Sequence, residues 1–157
     1  MSRFLSIIIM TLLLTACMPL TPAPMAAPLS TPGISQQGNW TIRFAQSGGI
    51  MGMTRKMEIS SDGRLIVADD RTGKNITGQL SEAELARVFG FMNSLKYSAP
   101  SGPTTCADCF NYTLEIVSGS GKPFTAQADD ISLETSGLSP LVEYLRMLME
   151  RSLKTQG

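Results

Sequence analysis

The chain has 157 residues, with 13 basic side chains against 13 acidic ones and no histidine. Its lysines and arginines are scattered rather than clustered, which argues against a nucleic-acid-binding surface. The missing histidines exclude Ser-His-Asp and Cys-His catalysis, and no paired-carboxylate motif takes their place. We therefore expect neither an enzyme nor a cofactor.

Residues 1–16 have the pattern of a secretory signal peptide. Arg3 is the only charge before an almost wholly apolar run at residues 4–14, which is shorter than the ~20 residues that a membrane-spanning helix needs. The sequence Leu-Thr-Ala-Cys at positions 14–17 resembles the lipobox of bacterial lipoproteins. The resemblance implies cleavage before Cys17 and lipidation of Cys17 with fatty acyl chains such as palmitate. An ordinary secretory signal with a chance cysteine is the alternative.

Residues 17–37 are predicted to be a tether between this anchor and a folded domain. Positions 18–37 hold five prolines among Ala, Thr and Ser and carry no charge, so they cannot bury enough apolar surface to fold. The expected location is the bacterial cell envelope, with the membrane contacted through the lipid alone. The residue after the cysteine, Met18, is not an aspartate, so the likeness to lipoproteins implies sorting to the outer membrane if the host has one, and otherwise to the outer face of the cell membrane.

Cys106 and Cys109 remain once Cys17 is assigned to the lipid. An exported protein meets an oxidising compartment, so the main interpretation is a disulfide that closes a short loop before a strand. A redox pair is less favoured because no helix is predicted to start at this point. Two thiolates without histidine supply only half of a tetrahedral zinc site, so we expect no metal.

Residues 38–154 are predicted to form one α+β domain, followed by a tail at 155–157. Alternating apolar and polar side chains indicate amphipathic strands, and Asp62-Gly63 suits a tight hairpin turn. Asp69-Asp70 and Asp129-Asp130 have the character of turn residues at strand ends. The predicted strands cover residues 40–45, 56–60, 64–68, 110–116 and 123–128, with a further short extended stretch at 75–77.

Two helices are predicted in the same domain. Ser81 and Glu84 form a capping-box signature, and apolar residues recur on one face up to about Lys96. Ser139 is predicted to cap the second helix, with Pro140 at its first position. The buried faces are predicted to carry Leu85, Val88, Phe89, Met92 and Leu95 in the first helix, and Leu141, Tyr144, Leu145 and Leu148 in the second. The expected fold is an antiparallel sheet of about four to six strands with two helices packed on one face.

In the order of its motifs, the domain resembles the emfourin family, which comprises small protein inhibitors of thermolysin-type metallopeptidases such as protealysin. The resemblance spans residues 39–151. It implies a protein partner, with a metallopeptidase as the expected class. The family needs neither an export signal nor a lipid anchor, so no inhibitory residue is carried over by name. The likeness is carried by Ser-Gly-Gly-Ile-Met-Gly at 47–52, Asp-Gly at 62–63, Gly-x-Leu-Ser-x-x-Glu-Leu at 78–85, Phe-x-Tyr-x-Leu at 110–114 and Leu-x-x-Tyr-Leu at 141–145.

The candidate partner-binding segment is the loop at residues 48–54, because methionines and glycines suit a surface that must adapt to its partner. In the simplest alternative, the glycines make a turn and the methionines pack on the helices. Capture of Cu(I) by Met51, Met53 and Met57 is a further alternative. The last alternative function is a structural or assembly role in the envelope, with no inhibitory activity. The sequence leaves the oligomeric state open. The proposed contact residues are Gly48, Gly49, Ile50, Met51, Gly52 and Met53.

Overall fold

The computed structural model describes residues 38–101, 106–119 and 121–155. The predicted signal peptide, Cys17 and the tether lie outside these residues. The described part is an α+β domain built on one six-stranded antiparallel sheet of strand order β4-β3-β2-β1-β5-β6. Its elements are β1 Trp40–Gly48, β2 Met53–Ser60, β3 Arg64–Asp69, β4 Lys74–Gln79, α1 Glu82–Ser94, β5 Phe110–Ser118, β6 Phe124–Asp129 and α2 Ser139–Thr155.

The predicted amphipathic strands and the α+β class are confirmed. Along β1, every second side chain from Trp40 to Phe44 is buried, and the residues between them face the opposite side of the sheet. Phe44 lies opposite Met57 on β2 and opposite Leu114 on β5, so cross-strand apolar pairs continue the core across the centre of the sheet. The strand that was predicted only as a short stretch at 75–77 is the full edge strand β4.

Helix α1 begins as the sequence predicts and ends slightly earlier. Ser81 accepts the Glu84 backbone N–H, and the Glu84 carboxylate in turn accepts the Ser81 backbone N–H at 2.9 Å, which completes a capping box. The last helical residue is Ser94 rather than Lys96, because Leu95 turns to an extended backbone conformation with ψ 125°. Leu95 nevertheless stays in the core, with 3% of its surface exposed.

The predicted start of the second helix was wrong by one residue. Ser139 is itself the first residue of α2, and the Leu138 carbonyl accepts the first helical hydrogen bond from Val142 at 3.0 Å. The Ser139 hydroxyl donates to the Glu143 carboxylate at 2.7 Å instead of capping a backbone N–H. Pro140 therefore stands at the second helical position, where its missing N–H still has no intrahelical partner to lose.

The two helices and one face of the sheet enclose a single hydrophobic core. The predicted inward residues Val88 and Met92 on α1, and Leu141, Leu145 and Leu148 on α2, are at most 1% exposed. Leu85 and Phe89 pack against the core while partly exposed. All the side chains of this core belong to the described residues, so this segment has the buried hydrophobic core that an independently folding domain needs.

The sheet has two distinct ends, and the direction of β1 defines them. The chain enters at the base, where Trp40 pairs with Ser118. At the other end, called here the tip, Gly48 pairs with Met53 on one side and with Phe110 on the other. Because β6 runs antiparallel to β5, it also ends at the tip, at Asp129. Loops that are far apart in sequence are thereby brought side by side at the tip.

Candidate functional site

The turn between β1 and β2 is the apex of the tip. Gly49 and Gly52 have positive φ angles of 70° and 57°, and the Gly52 N–H donates to the Gly49 carbonyl at 2.9 Å. Between them, Ile50 is 85% exposed and Met51 is 61% exposed. Met51 therefore does not pack on the helices, contrary to the alternative drawn from the sequence. Ile50 and Met51 are thus two adjacent exposed apolar side chains at the apex of a hairpin, from which they can contact another molecule.

The loop that carries the two remaining cysteines supports this turn. Cys106 and Cys109 are at disulfide-bonding distance, with Cα atoms 5.4 Å apart. The Gly49 N–H donates to the Cys109 carbonyl at 3.1 Å. A side chain at position 48 would place its Cβ 2.5 Å from that same carbonyl oxygen, and φ at Gly48 is +105°. Glycine at position 48 therefore allows the hairpin to lie directly against the disulfide loop.

The turn after β6 is the third segment at the tip. The Phe110 N–H donates to Asp130 Oδ2 at 2.7 Å, and the Asp130 N–H donates to the Phe110 carbonyl at 3.2 Å. Asp129 is buried and its Oδ1 accepts the N–H groups of Ile131 at 3.1 Å and Ser132 at 2.8 Å. These bonds fix the backbone of Ile131, whose side chain is 64% exposed.

We call the three segments 49–52, 106–109 and 130–131 the tip rim. Three of the four large apolar side chains that are conspicuously exposed in the described residues belong to it: Ile50, Met51 and Ile131. The fourth is Met147 on α2, which is 48% exposed. The sequence analysis missed Ile131, because a single isoleucine between aspartate and serine has no periodic pattern to mark it. Met53, the last residue of the predicted segment, is half-buried as the first residue of β2.

A buried tyrosine fixes the charged part of the tip rim. The Tyr112 hydroxyl donates to Asp130 Oδ1 at 2.6 Å. Burial, followed by this bond to Asp130, raises the pKa of Tyr112 to about 12. The hydroxyl therefore stays protonated at neutral pH and remains a donor to the carboxylate. The guanidinium of Arg146 lies 5.7 Å from the centre of the Tyr112 ring, within the range of a cation–π contact.

The predicted strand-end role of the aspartate pairs is confirmed at β3 as well. Asp69 is buried, and its Oδ1 accepts the N–H groups of Arg71 at 3.0 Å and Thr72 at 3.1 Å. Burial raises the pKa of Asp69, but the hydrogen bonds from Arg55 and from these backbone groups outweigh it, so the net pKa is lowered. This carboxylate thus accepts the hydrogen bonds of the turn and forms an ion pair with Arg55 at 2.9 Å.

The face of the sheet opposite the helices holds a shallow depression of about 310 Å³. Arg43 crosses it and pairs with Glu58 and with Glu115, each at 3.2 Å. Lys56 pairs with Asp70 at 3.0 Å beside it. Since these charges are paired with one another, the depression offers a ligand little unpaired charge, and we do not consider it the main site.

The described residues contain no group of three or more His, Cys, Asp and Glu side chains placed to hold a metal ion. The three methionines considered for Cu(I) do not converge. Met57 is buried in the core, 3% exposed, and lies roughly 13 Å along β2 from Met53 at the usual rise per residue. None of the helices within the described segments is long and apolar enough to span a bilayer.

Comparison with known proteins does not assign the chain to a family. No protein-family model matches the chain, and no curated protein matches it. The resemblance to the emfourin family remains a prediction from the sequence.

Proposed function

We propose that this protein is an exported, lipid-anchored lipoprotein whose folded domain binds a protein partner through its tip and catalyses no reaction. The observation that carries the proposal is the apex of the β1–β2 hairpin. Ile50 and Met51 are its most exposed large apolar side chains, at 85% and 61%. Burying one such side chain in a partner contributes about 1.5–3 kcal/mol, so two of them supply a useful part of a binding free energy.

The way the apex is held also supports a binding role. Its backbone is tied to the Cys109 carbonyl and turns on glycines with positive φ, so the exposed side chains project from an ordered turn. A surface that is ordered before binding loses less conformational entropy when the partner docks. Among partners, we propose a secreted thermolysin-type metallopeptidase, which is the class that the resemblance to emfourin implies. Such enzymes work outside the cell, where a lipoprotein would meet them.

The test is a titration of the domain at residues 38–157 against a thermolysin-type peptidase and against the secreted metallopeptidases of its host. The expected result is stoichiometric inhibition that Met51→Asp abolishes and Met147→Asp leaves intact. Met147 is the matched control because it is an exposed methionine on α2, outside the tip rim. If the folded domain leaves every peptidase fully active, the inhibitor proposal is wrong, and an envelope-assembly role takes its place.

The anchor needs its own test, because residues 1–37 lie outside the described structure. In the proposed lipoprotein, the mature chain begins at Cys17 with a diacylglyceryl group on its sulfur. Mass spectrometry of the protein from its own membrane fraction should find this modified N-terminal peptide. Cys17→Ser should release the protein from the membrane. Recovery of an unmodified Cys17 would reject the anchor and leave the binding proposal untouched.

A further inference from the structure

We infer that the partner contacts the whole tip rim, and that it is a folded protein with an apolar cleft bordered by basic side chains. The inference rests on the proposed function, because it takes a protein partner as given, and it extends the contact from one hairpin to three chain segments. Ile50 and Met51 stand at one end of the rim, and Ile131 stands at the other end.

The first step is that the three segments form one continuous support. Segment 49–52 contacts segment 106–109 through the hydrogen bond from the Gly49 N–H to the Cys109 carbonyl at 3.1 Å. The Phe110 ring lies against Gly49, since a Cβ added there would come within 2.8 Å of the ring. Phe110 and Asp130 then exchange two hydrogen bonds, of 2.7 and 3.2 Å.

The second step is the width of the rim. The segments cap the neighbouring strands β2, β1, β5 and β6 in that order. At about 4.8 Å between strands, the rim is roughly 15 Å wide. Side chains from both ends of the rim can therefore enter a single cleft on a partner. Met147 lies on α2, outside the three segments of the rim.

The third step is charge. The rim carries Asp108 and Asp130, both exposed, and no lysine or arginine. Asp130 accepts hydrogen bonds from the Phe110 N–H and the Tyr112 hydroxyl, which hold its carboxyl group in place on the rim. Two exposed carboxylates beside apolar side chains are complementary to an apolar cleft edged by Lys or Arg, and they are repelled by an anionic lipid surface.

Site-specific photo-crosslinking of the full-length protein in its own cells tests the extended contact. A photo-reactive p-benzoylphenylalanine replaces Ile50, Ile131 or Met147, one at a time. All three positions are exposed, so the substitutions leave the core intact. The expected result is that Ile50 and Ile131 yield adducts with the same protein, identified by mass spectrometry, and that Met147 does not.

The outcomes separate this inference from the proposed function. A protein adduct from Ile50 without one from Ile131 overturns the extended rim and leaves the hairpin as the binding site. Adducts with lipid only, or no adduct at any position, overturn both.

The basic border is tested with the protein recovered in the adduct and the Asp108→Lys variant. Association should be about tenfold slower than for the wild type at low ionic strength, and the difference should disappear at high salt. Association of the variant at an equal or greater rate at low salt would refute the charge argument. Asp108→Asn should give an intermediate rate.

Discussion

Two methionines in the same hairpin lie in opposite surroundings. Met51 at the apex is 61% exposed, whereas Met57 on β2 is 3% exposed and faces Phe44 across the strand pair. Both residues look alike in the sequence, where they lie in one Met-rich segment. The difference arises because Met51 lies in the turn before β2 begins at Met53, whereas Met57 lies within the strand on its core-facing side.

We predict that Met51→Ala changes the free energy of unfolding by less than about 0.5 kcal/mol, because it removes few packing contacts. Met57→Ala is the matched control and should lose about 2–5 kcal/mol, since it leaves a cavity in the core. Urea denaturation of both variants measures the difference. Equal losses would mean that Met51 is packed and is no contact residue.

Gly48 and Gly52 both have positive φ angles, but only Gly48 is crowded by neighbouring atoms. Gly48→Ala should lower the free energy of unfolding by more than about 1 kcal/mol, since its Cβ would meet the Cys109 carbonyl oxygen at 2.5 Å. Gly52→Ala meets nothing within 4 Å and should lose less. Thermal unfolding of the two variants gives the comparison. A larger loss for Gly52→Ala would contradict the close approach of the disulfide loop.

At the scale of elements, α1 is fastened at its first turn by a carboxylate. Glu84 pairs with Arg151 of α2 and accepts the N–H of Ser81 at 2.9 Å. The hydrogen bond from Arg151, followed by that from Ser81, lowers the pKa of Glu84 from 4.5 to about 2. The same side chain thus completes the capping box and joins the two helices.

This lowered pKa predicts a pH dependence of stability. Because the folded-state pKa lies below the unfolded one, the stabilisation is present above pH 4.5 and is lost as the pH falls to about 2. Glu84→Gln can still complete the capping box but loses the ion pair with Arg151, so it should lower the free energy of unfolding at pH 6 by about 1 kcal/mol and reduce the loss on acidification. Denaturation at pH 6 and at pH 2.5 measures both effects, with Glu82→Gln in the same turn as the control. An unchanged acid dependence in Glu84→Gln would show that this contact is unimportant.

We predict that removing the Cys106–Cys109 disulfide loosens the turn it contacts more than it destabilises the whole domain. A ring closed across a sequence separation of three residues restricts the unfolded chain little, so the double change to serine should cost about 2 kcal/mol or less. The Gly49 amide should then exchange with solvent faster, because its acceptor is the Cys109 carbonyl. Hydrogen exchange followed by NMR measures this, with the Leu114 amide in the middle of β5 as the control. Unchanged exchange at Gly49 would mean that the disulfide does not hold the apex.

Local signals in the sequence predicted most of the elements. The Ser81–Glu84 capping box and the alternation on β1 and β5 depend on residues close to one another in the chain, and each appears as predicted. The start of α2 was missed by one residue because a serine before a proline fits both the cap and the first helical position. Only the bond from Val142 to the Leu138 carbonyl distinguishes them.

At the scale of the whole molecule, the candidate site depends on strand order, which local patterns do not contain. β1 pairs with β2 by a hairpin, but it also pairs with β5 across a long stretch of intervening chain. That second pairing brings Cys109 beside Gly49 and, through β6, places Ile131 on the same rim. Sequence patterns indicated the exposed hairpin segment and the cysteine pair separately, and the fold brings them together.

The path of β1 has a mechanical consequence. The proposed anchor joins the domain just before Trp40, at the base, and the apex follows Gly48 at the other end of the same strand. When a bound partner moves away from the membrane, the tension runs from the apex along β1 to the tether. This load passes through the covalent backbone of a central strand clamped on both sides by β2 and β5. Since β1 is already extended between these two points, the pull does not have to break its hydrogen bonds to β2 and β5. In the proposed arrangement, the domain would therefore stay folded while its partner is held under force.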